Sequence, residues 1–330
     1  MRFPDPATQC DGMQTCCKTD QPARDARLVI NALVTMAVTV CLGMLSILAA
    51  QAQSPQMPAS QTPAPETAIA AQLVPLMENA RNPLLELSTS EGDLYLELFP
   101  DAAPASVRRV LELAGQRYYD GLVFHRVVPA TFLQTGAVER AGRLRAPAMA
   151  DEINARGLGL EQQALLDSTG TPHLWMNIRD LNDFQQRVLL PLYRNMNISS
   201  SDQLAARQEQ VLQRLRQLNL LQLHEMSGYR YNNSLPSRRP LTGSVMLASY
   251  GPGTNDGELL LSLQDTPWLM GTHTVIGRIV SSLSLANSIS RQPESSVRVY
   301  HLRQLDTSTA VNSVAPLTLP EPASSTNPGA

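Results

Sequence analysis

The spacing of apolar residues constrains this chain most: from Leu84 onward they come in runs of strand length. Leu84 to Ser88 and Leu94 to Phe99 flank a turn at Glu91-Gly92-Asp93. In the second run Leu94, Leu96 and Leu98 alternate with Tyr95 and Glu97, the period of a half-buried strand. Further runs fall at 122–128, 243–248, 258–263, 274–280 and 297–305. Two helices interrupt them. Pro104 opens the first, with Val107, Val110, Leu111 and Ala114 at i, i+3, i+4 and i+7 before Gly115 ends it. Leu285 and Ile289 mark a brief second one. Many short strands with flanking helices predict a mainly β fold, a small closed barrel plugged at its ends.

These runs fall into two blocks, and the stretch between them has another period. Over 202–226, Leu204, Val211, Leu215 and Leu218 make one apolar helix face, with Ser200, Ser201 or Asp202 placed to cap it. A second helix is expected over 180–194, interrupted at Pro191. The barrel is therefore expected to be discontinuous, 79–141 plus 240–306, with 142–239 a connecting loop expanded by an α-helical insertion.

Leu28 to Ala49 is nearly all apolar, preceded by Arg24 and Arg27 and followed by Ala50-Gln51-Ala52. That order reads as a secretory signal cleaved after Ala52; left uncleaved, 1–52 would be a membrane anchor. All four cysteines (Cys10, Cys16, Cys17, Cys41) lie at or before this segment, so cysteine chemistry drops out of the mature chain. Pro, Gln, Ser and Ala dominate 53–66, and 53–78 is read as a flexible tether. The stretch 307–330, with Glu321 its only charge, is read as a disordered tail. A net charge of −3 and a single lysine, Lys18, give no basic footprint for nucleic acid. His173, His224 and His301 lack metal-ligand spacing, so neither metal nor cofactor is expected. Gly251 to Gly257 lacks the lysine and hydroxyl of a phosphate loop, and no G-x-S-x-G elbow appears.

One run carries more than periodicity. Tyr118-Tyr119-Asp120-Gly121, then Phe124-His125-Arg126-Val127-Val128-Pro129, then Gln134-Thr135-Gly136 resembles the cyclophilin signature in register. Gly243 to Ile279 is similar to the second half of that domain without a gap, through Met246, Ala248, Gly251-Pro252, Thr254-Asn255, Trp268-Leu269, Gly271 and His273. Gly92 to Pro104 resembles its opening. The resemblance implies a closed eight-stranded cyclophilin-like β-barrel and a peptidyl-prolyl cis/trans isomerase that binds proline-containing peptides. It makes Arg126 the catalytic donor to the twisted prolyl nitrogen and gives Gln134 the task of orienting it or holding substrate backbone. Phe132, Leu260, Leu269 and His273 fall at positions of the wall around the proline ring, with Trp268 and Ala248 at rim or neighbouring-pocket positions. His125 falls within the signature as a structural residue.

Several residues depart from the family pattern. Ala130 replaces a glycine, Thr131 and Leu260 replace pocket phenylalanines, and Glu258 replaces a glutamine that contacts substrate backbone. A carboxylate there is expected to compete for the Arg126 guanidinium. Asp151-Glu152-Ile153-Asn154 resembles a segment of bacterial members, after which the extra residues begin. Together with the apolar leader, this leads us to expect a periplasmic protein of a Gram-negative bacterium, or one anchored in the inner membrane and facing the periplasm. The expected function is prolyl isomerisation during folding of unfolded exported proteins. The alternative is a catalytically weakened chaperone or scaffold that binds proline-containing clients.

Overall fold

A computed structural model of the chain describes residues 65–308. The expected signal or anchor, the start of the tether and nearly all of the tail lie outside the described residues. Among the described residues, no helix is long and apolar enough to cross a membrane.

The described part of the expected tether is not a tether. Helix α1 (Pro65–Leu73) runs into a 3-10 turn at Val74–Leu76. Its Ala70, Leu73 and Val74, at i, i+3 and i+4, are buried, and Leu73 packs with Leu84 and Leu305. The proline- and glutamine-rich composition of the segment masks that stripe. Strands β1 (Leu84–Thr89) and β2 (Gly92–Leu98) follow, then α2 (Pro104–Gly115), β3 (Arg126–Val128) and β4 (Phe132–Thr135). The insertion supplies α3 (Leu181–Phe184), α4 (Leu190–Asn195), α5 (Ser201–Ala206), α6 (Gln208–Gln217) and α7 (Leu220–Met226). The chain then returns through β5 (Ser244–Leu247), β6 (Leu259–Ser262), β7 (Val275–Ser281), α8 (Leu283–Ile289) and β8 (Val299–Gln304).

All eight strands join one antiparallel sheet in the order β3-β4-β6-β5-β7-β2-β1-β8. The expected closed barrel is therefore corrected to an open sheet, because no ladder joins β3 to β8. At the seam the segment before β3 meets the segment before β8 through the single bridge Val123↔Arg298. Four backbone hydrogen bonds flank it: Gly121 to Val299, Phe124 to Val297, Val299 to Leu122 and Ser295 to Phe124. Gly121 (φ +75°) and Ser295 (φ +63°) leave the extended region, which stops a continuous ladder from propagating there. The main core fills the concavity, with Leu85, Leu133, Val245, Leu261 and Ile276 meeting Val107 and Val110 of α2 and Ile289 of α8.

The insertion holds a second core, in which Leu160, Val188, Leu192, Leu215 and Leu223 pack with Met270 from the sheet's own half. Of its two expected helices only the second is divided, and the interruption expected at Pro191 is corrected. The 180–194 helix stays continuous past Pro191 by widening into a π turn, Gln185–Leu189, in which the Leu190 N–H reaches back five residues to the Gln185 carbonyl. That turn absorbs the bond a proline cannot donate. The 202–226 helix breaks at Arg207 and again at Leu218-Asn219. There Leu165 donates to the Leu218 carbonyl and Leu220 to that of Gln163, so tertiary backbone pairing takes the groups a helix would use. Asn219 restarts α7 with a capping box to Gln222.

The ends of the insertion meet: Asn232 donates to the Ile153 carbonyl (2.8 Å), and the Asn154 amide nitrogen to Asn233 (3.0 Å). Excising 155–231 with a short glycine linker is therefore expected to leave a folded sheet domain with a lowered melting temperature. Near-ultraviolet circular dichroism and thermal unfolding test this. A molten product would show that the second core is needed to complete the first.

Candidate functional site

Strand alternation sorts the site from the core. On β4, β5 and β6 the residues Leu133, Val245, Leu247, Leu259 and Leu261 enter the main core, which turns Phe132, Gln134, Met246 and Leu260 to the other face. Register then aligns a row across the sheet: Arg126 opposite Gln134, Gln134 opposite Leu260, Leu260 opposite Met246. Phe132, Met246, Leu260 and Val275 form a separate apolar cluster, with Val128 and Leu269 packed against it. Three of the sequence-expected wall residues thus come together. Met246 and Val275 join them, although the sequence marked Met246 only as a family-spacing position.

Arg126 is exposed at the edge of this cluster, its guanidinium carbon 4.9 Å from the Phe132 ring centroid. It has no ion-pair partner among the described residues. Trp268 and Leu269, both half-buried, sit on a 3-10 turn, Pro267–Leu269. The His273 amide donates to the Leu269 carbonyl (3.1 Å), and its Nδ1 lies 3.0 Å from Thr272 Oγ1. Burial, reinforced by Arg126, lowers the His273 imidazole to about 4, so the ring is neutral at physiological pH. Two expected residues stand apart. Thr131 turns its hydroxyl to the Pro129 carbonyl (3.2 Å) and Gln264 (3.3 Å), outside the apolar cluster. Ala248 is buried beyond the end of β5, its N–H donating to the Glu258 carbonyl (2.9 Å).

Glu258 does not take Arg126, which corrects the expected competition. Only 1% exposed, its Oε2 accepts from Gln134 Nε2 (2.7 Å) and the Tyr250 hydroxyl (2.9 Å), with His125 Nε2 at 3.5 Å. Its Oε1 lies 3.4 Å from Arg145, which also pairs with Asp256 (2.9 Å) and Glu139 and covers the Tyr250 ring. Burial alone would raise the Glu258 carboxyl, but hydrogen bonds from His125, Gln134 and Tyr250 outweigh it and hold the group below its ordinary range. The same contact works the other way on the phenol: burial, then Glu258, push Tyr250 up to about 12. Gln134 Nε2 also donates to Tyr250 (3.0 Å), so both amide hydrogens are spent inside the network and only Oε1 remains open. Sequence reasoning missed Tyr250 and Arg145. One lies between family-matched positions and the other in the expanded loop, so neither carried a motif signal.

The family profile described as cyclophilin type peptidyl-prolyl cis-trans isomerase/CLD matches residues 84–306. Peptidyl-prolyl cis-trans isomerase ppi1 of Schizosaccharomyces pombe is 25% identical over 203 residues, covering 61% of this chain and 81% of that one. A putative bifunctional phosphatase/peptidyl-prolyl cis-trans isomerase of Streptococcus pyogenes is 45% identical over 60 residues, 18% of this chain and 13% of that one. Among solved structures, a Cryptosporidium parvum cyclophilin-type isomerase crystallised with the dipeptide Ala-Pro matches 68% of this chain and 99% of its own, at 15% identity and a TM-score of 0.39.

Two half-buried imidazoles make stability depend on acid. His224 in the insertion and His273 both titrate at about 4 in the native protein, against 6.5 unfolded. Between those values the unfolded chain binds more protons, so stability is complete above about 6.5 and falls as pH drops toward 4. Urea unfolding across that window should show this slope, and His273→Gln should flatten it by close to one proton. An unchanged slope would mean that His273 is not held neutral.

Proposed function

The chain belongs to the family of cyclophilin-type peptidyl-prolyl cis-trans isomerases, and from that premise we propose that Arg126 and the apolar cluster beneath it catalyse prolyl rotation in exported polypeptides. The observation that carries this reading is the placement of an arginine, without an ion-pair partner among the described residues, over Phe132 at the edge of the cluster that Phe132 forms with Met246, Leu260 and Val275.

Rotation about the prolyl bond has to break amide resonance, across a barrier of about 18–20 kcal/mol. No bond is made or cut, so catalysis means holding the twisted amide better than the planar one. The apolar cluster takes the proline ring. As resonance is lost the prolyl nitrogen gains lone-pair density, and the Arg126 guanidinium donates to it. Stacking on Phe132 restrains the guanidinium, and an arginine without a carboxylate partner keeps its donors for the substrate. Neutral His273 adds no second charge beside it. The Gln134 Oε1 is left to accept a backbone N–H or a guanidinium hydrogen.

Cyclophilins bind proline-containing peptides; action on unfolded exported proteins, in the periplasm or from an inner-membrane anchor, rests on the apolar leader and the bacterial-type Asp151-Glu152 segment. One observation favours the second reading, a weakened enzyme that serves as a chaperone or scaffold. It is the capture of both Gln134 amide hydrogens by Glu258 and Tyr250.

An exchange-based isomerisation assay on an Ala-Pro peptide separates the two. Arg126→Ala is expected to lower kcat/KM by roughly tenfold or more with the fold intact; equal rates would remove Arg126 from the mechanism. In the same assay Glu258→Gln is expected to raise kcat/KM, because a neutral partner holds the Gln134 amide less strongly. No change would leave the scaffold reading without its support.

A further inference from the structure

The insertion does more than pack beside the sheet. A groove of about 330 Å³ lies in it, lined among others by Gln186, Arg187, Arg194, Ser227 and Tyr229, with Thr272 joining them from the loop that carries His273. Thr272 Oγ1 donates to the Leu269 carbonyl (3.0 Å) and contacts His273, tying the groove to the wall of the proline pocket. Between the lining residues Ser227 and Tyr229, Gly228 (φ +106°) packs so closely on Pro252 that a Cβ would sit 3.2 Å from its ring. Pro252 belongs to the loop between Tyr250 and Glu258, the two groups that hold Gln134.

Charge gives the groove its preference. Arg187 and Arg194 are both exposed, and among the described residues no carboxylate lines the groove with them, though Asp151, outside the lining, adds to burial in raising the Tyr229 phenol. Asp183 stands behind Arg187 at 3.4 Å but is shared with Arg179 (3.6 Å), and Arg194 has no ion-pair partner among the described residues. His224, also in the lining, is held neutral by burial and by Arg187 itself. The charged side chains of the lining are therefore positive, and Thr272 joins them to the loop that carries Leu269 and His273.

We propose that this groove extends the substrate cleft and holds an acidic side chain of the polypeptide on one side of its proline. The inference rests on the isomerase reading and names the substrate class for it. A carboxylate facing two arginines across solvent-accessible space contributes a modest, salt-dependent preference, and such a preference selects among sequences without slowing release.

The test uses the full chain and a set of Ala-Pro peptides in which every flanking position is Gln, or a single Glu, or a single Lys. Turnover is read by exchange spectroscopy and affinity by calorimetry. At low salt, Glu at one or two positions on one side of the proline is expected to improve kcat/KM and affinity roughly two- to fivefold over Gln. Lys at the same positions should weaken both, and added salt should shrink the difference. In Arg187→Gln/Arg194→Gln the Glu-to-Gln ratio should fall to about one, and in Arg187→Lys/Arg194→Lys it should survive. A ratio near one at every position in the parent overturns the proposal. So does a preference that persists after both arginines are neutralised. If no peptide is turned over, the isomerase reading fails, while the calorimetric ratios still decide for or against the groove.

Discussion

The architecture depends on a junction where the chain leaves the sheet and comes back. β6 lies between β4 and β5, so the row that carries the site exists only if strands separated by the whole insertion are brought into register. Closing a long loop costs entropy that grows slowly with length but has to be met before any ladder forms. Residues 151–154 meet that requirement. Asp151 accepts from the Gly253 N–H and the Asn255 side chain, both at 2.8 Å, fixing the start of the insertion to the loop before β6. Glu152 accepts from the Ala105 and Ser106 N–H groups at 3.0 and 2.6 Å, capping α2 from a distant part of the chain. Asn154 then binds Ser237, Asn233 and Leu235 on the returning strand of chain. With its ends held this way, the insertion can carry a separate core without disturbing the sheet.

A second constraint operates inside the site. A carboxylate buried like Glu258 would cost several kcal/mol if it stood alone, and it persists because partners converge on it from four segments of the chain. His125 precedes β3, Gln134 lies on β4, Tyr250 follows β5, and Arg145 comes from the expanded loop. Backbone closeness assists: a Cβ on Gly136 (φ +106°) would fall 2.8 Å from Glu258 Cα, so only glycine lets β4 approach there. The network therefore stiffens the rim of the site and at the same time removes Gln134 as a donor.

Most of the sheet was legible because alternation and turn chemistry are local. Leu94, Leu96 and Leu98 declare a strand, and Pro104 through Gly115 declares a helix, without reference to anything else. The row of Arg126, Gln134 and Leu260 was legible only through resemblance, since cross-strand register cannot be read from one segment. What escaped was tertiary. The seam stays open because of positive φ at Gly121 and Ser295, the long insertion helix is cut by backbone pairing at Leu218 to Leu220, and α1 owes its order to a contact with Leu84 and Leu305. Glu258 is legible as a departure through the resemblance, but which cation or amide it binds depends on side-chain geometry that family positions do not carry. Arg126 and Glu258 share a region but not a contact.

That distinction bears on how far the departures weaken catalysis. The donor to the prolyl nitrogen acts where charge develops during rotation, so its interaction belongs to the transition state and governs kcat. A glutamine gripping substrate backbone acts on planar and twisted amides alike, and its loss is felt mainly in KM. In the proposed mechanism Gln134 is the second kind of group and Arg126 the first; Glu258 and Tyr250 bind Gln134 and make no hydrogen bond or ion pair with Arg126. Phe132 occupies the wall while Thr131 turns away from it, so the ring pocket remains apolar despite the lost phenylalanine. On the proposed mechanism, a site altered in this way gives up general grip on peptide backbone while keeping the rotation chemistry. Affinity then has to come from contacts outside the signature. The insertion, tied to both loops that bound the pocket, is the part of this chain in a position to supply them.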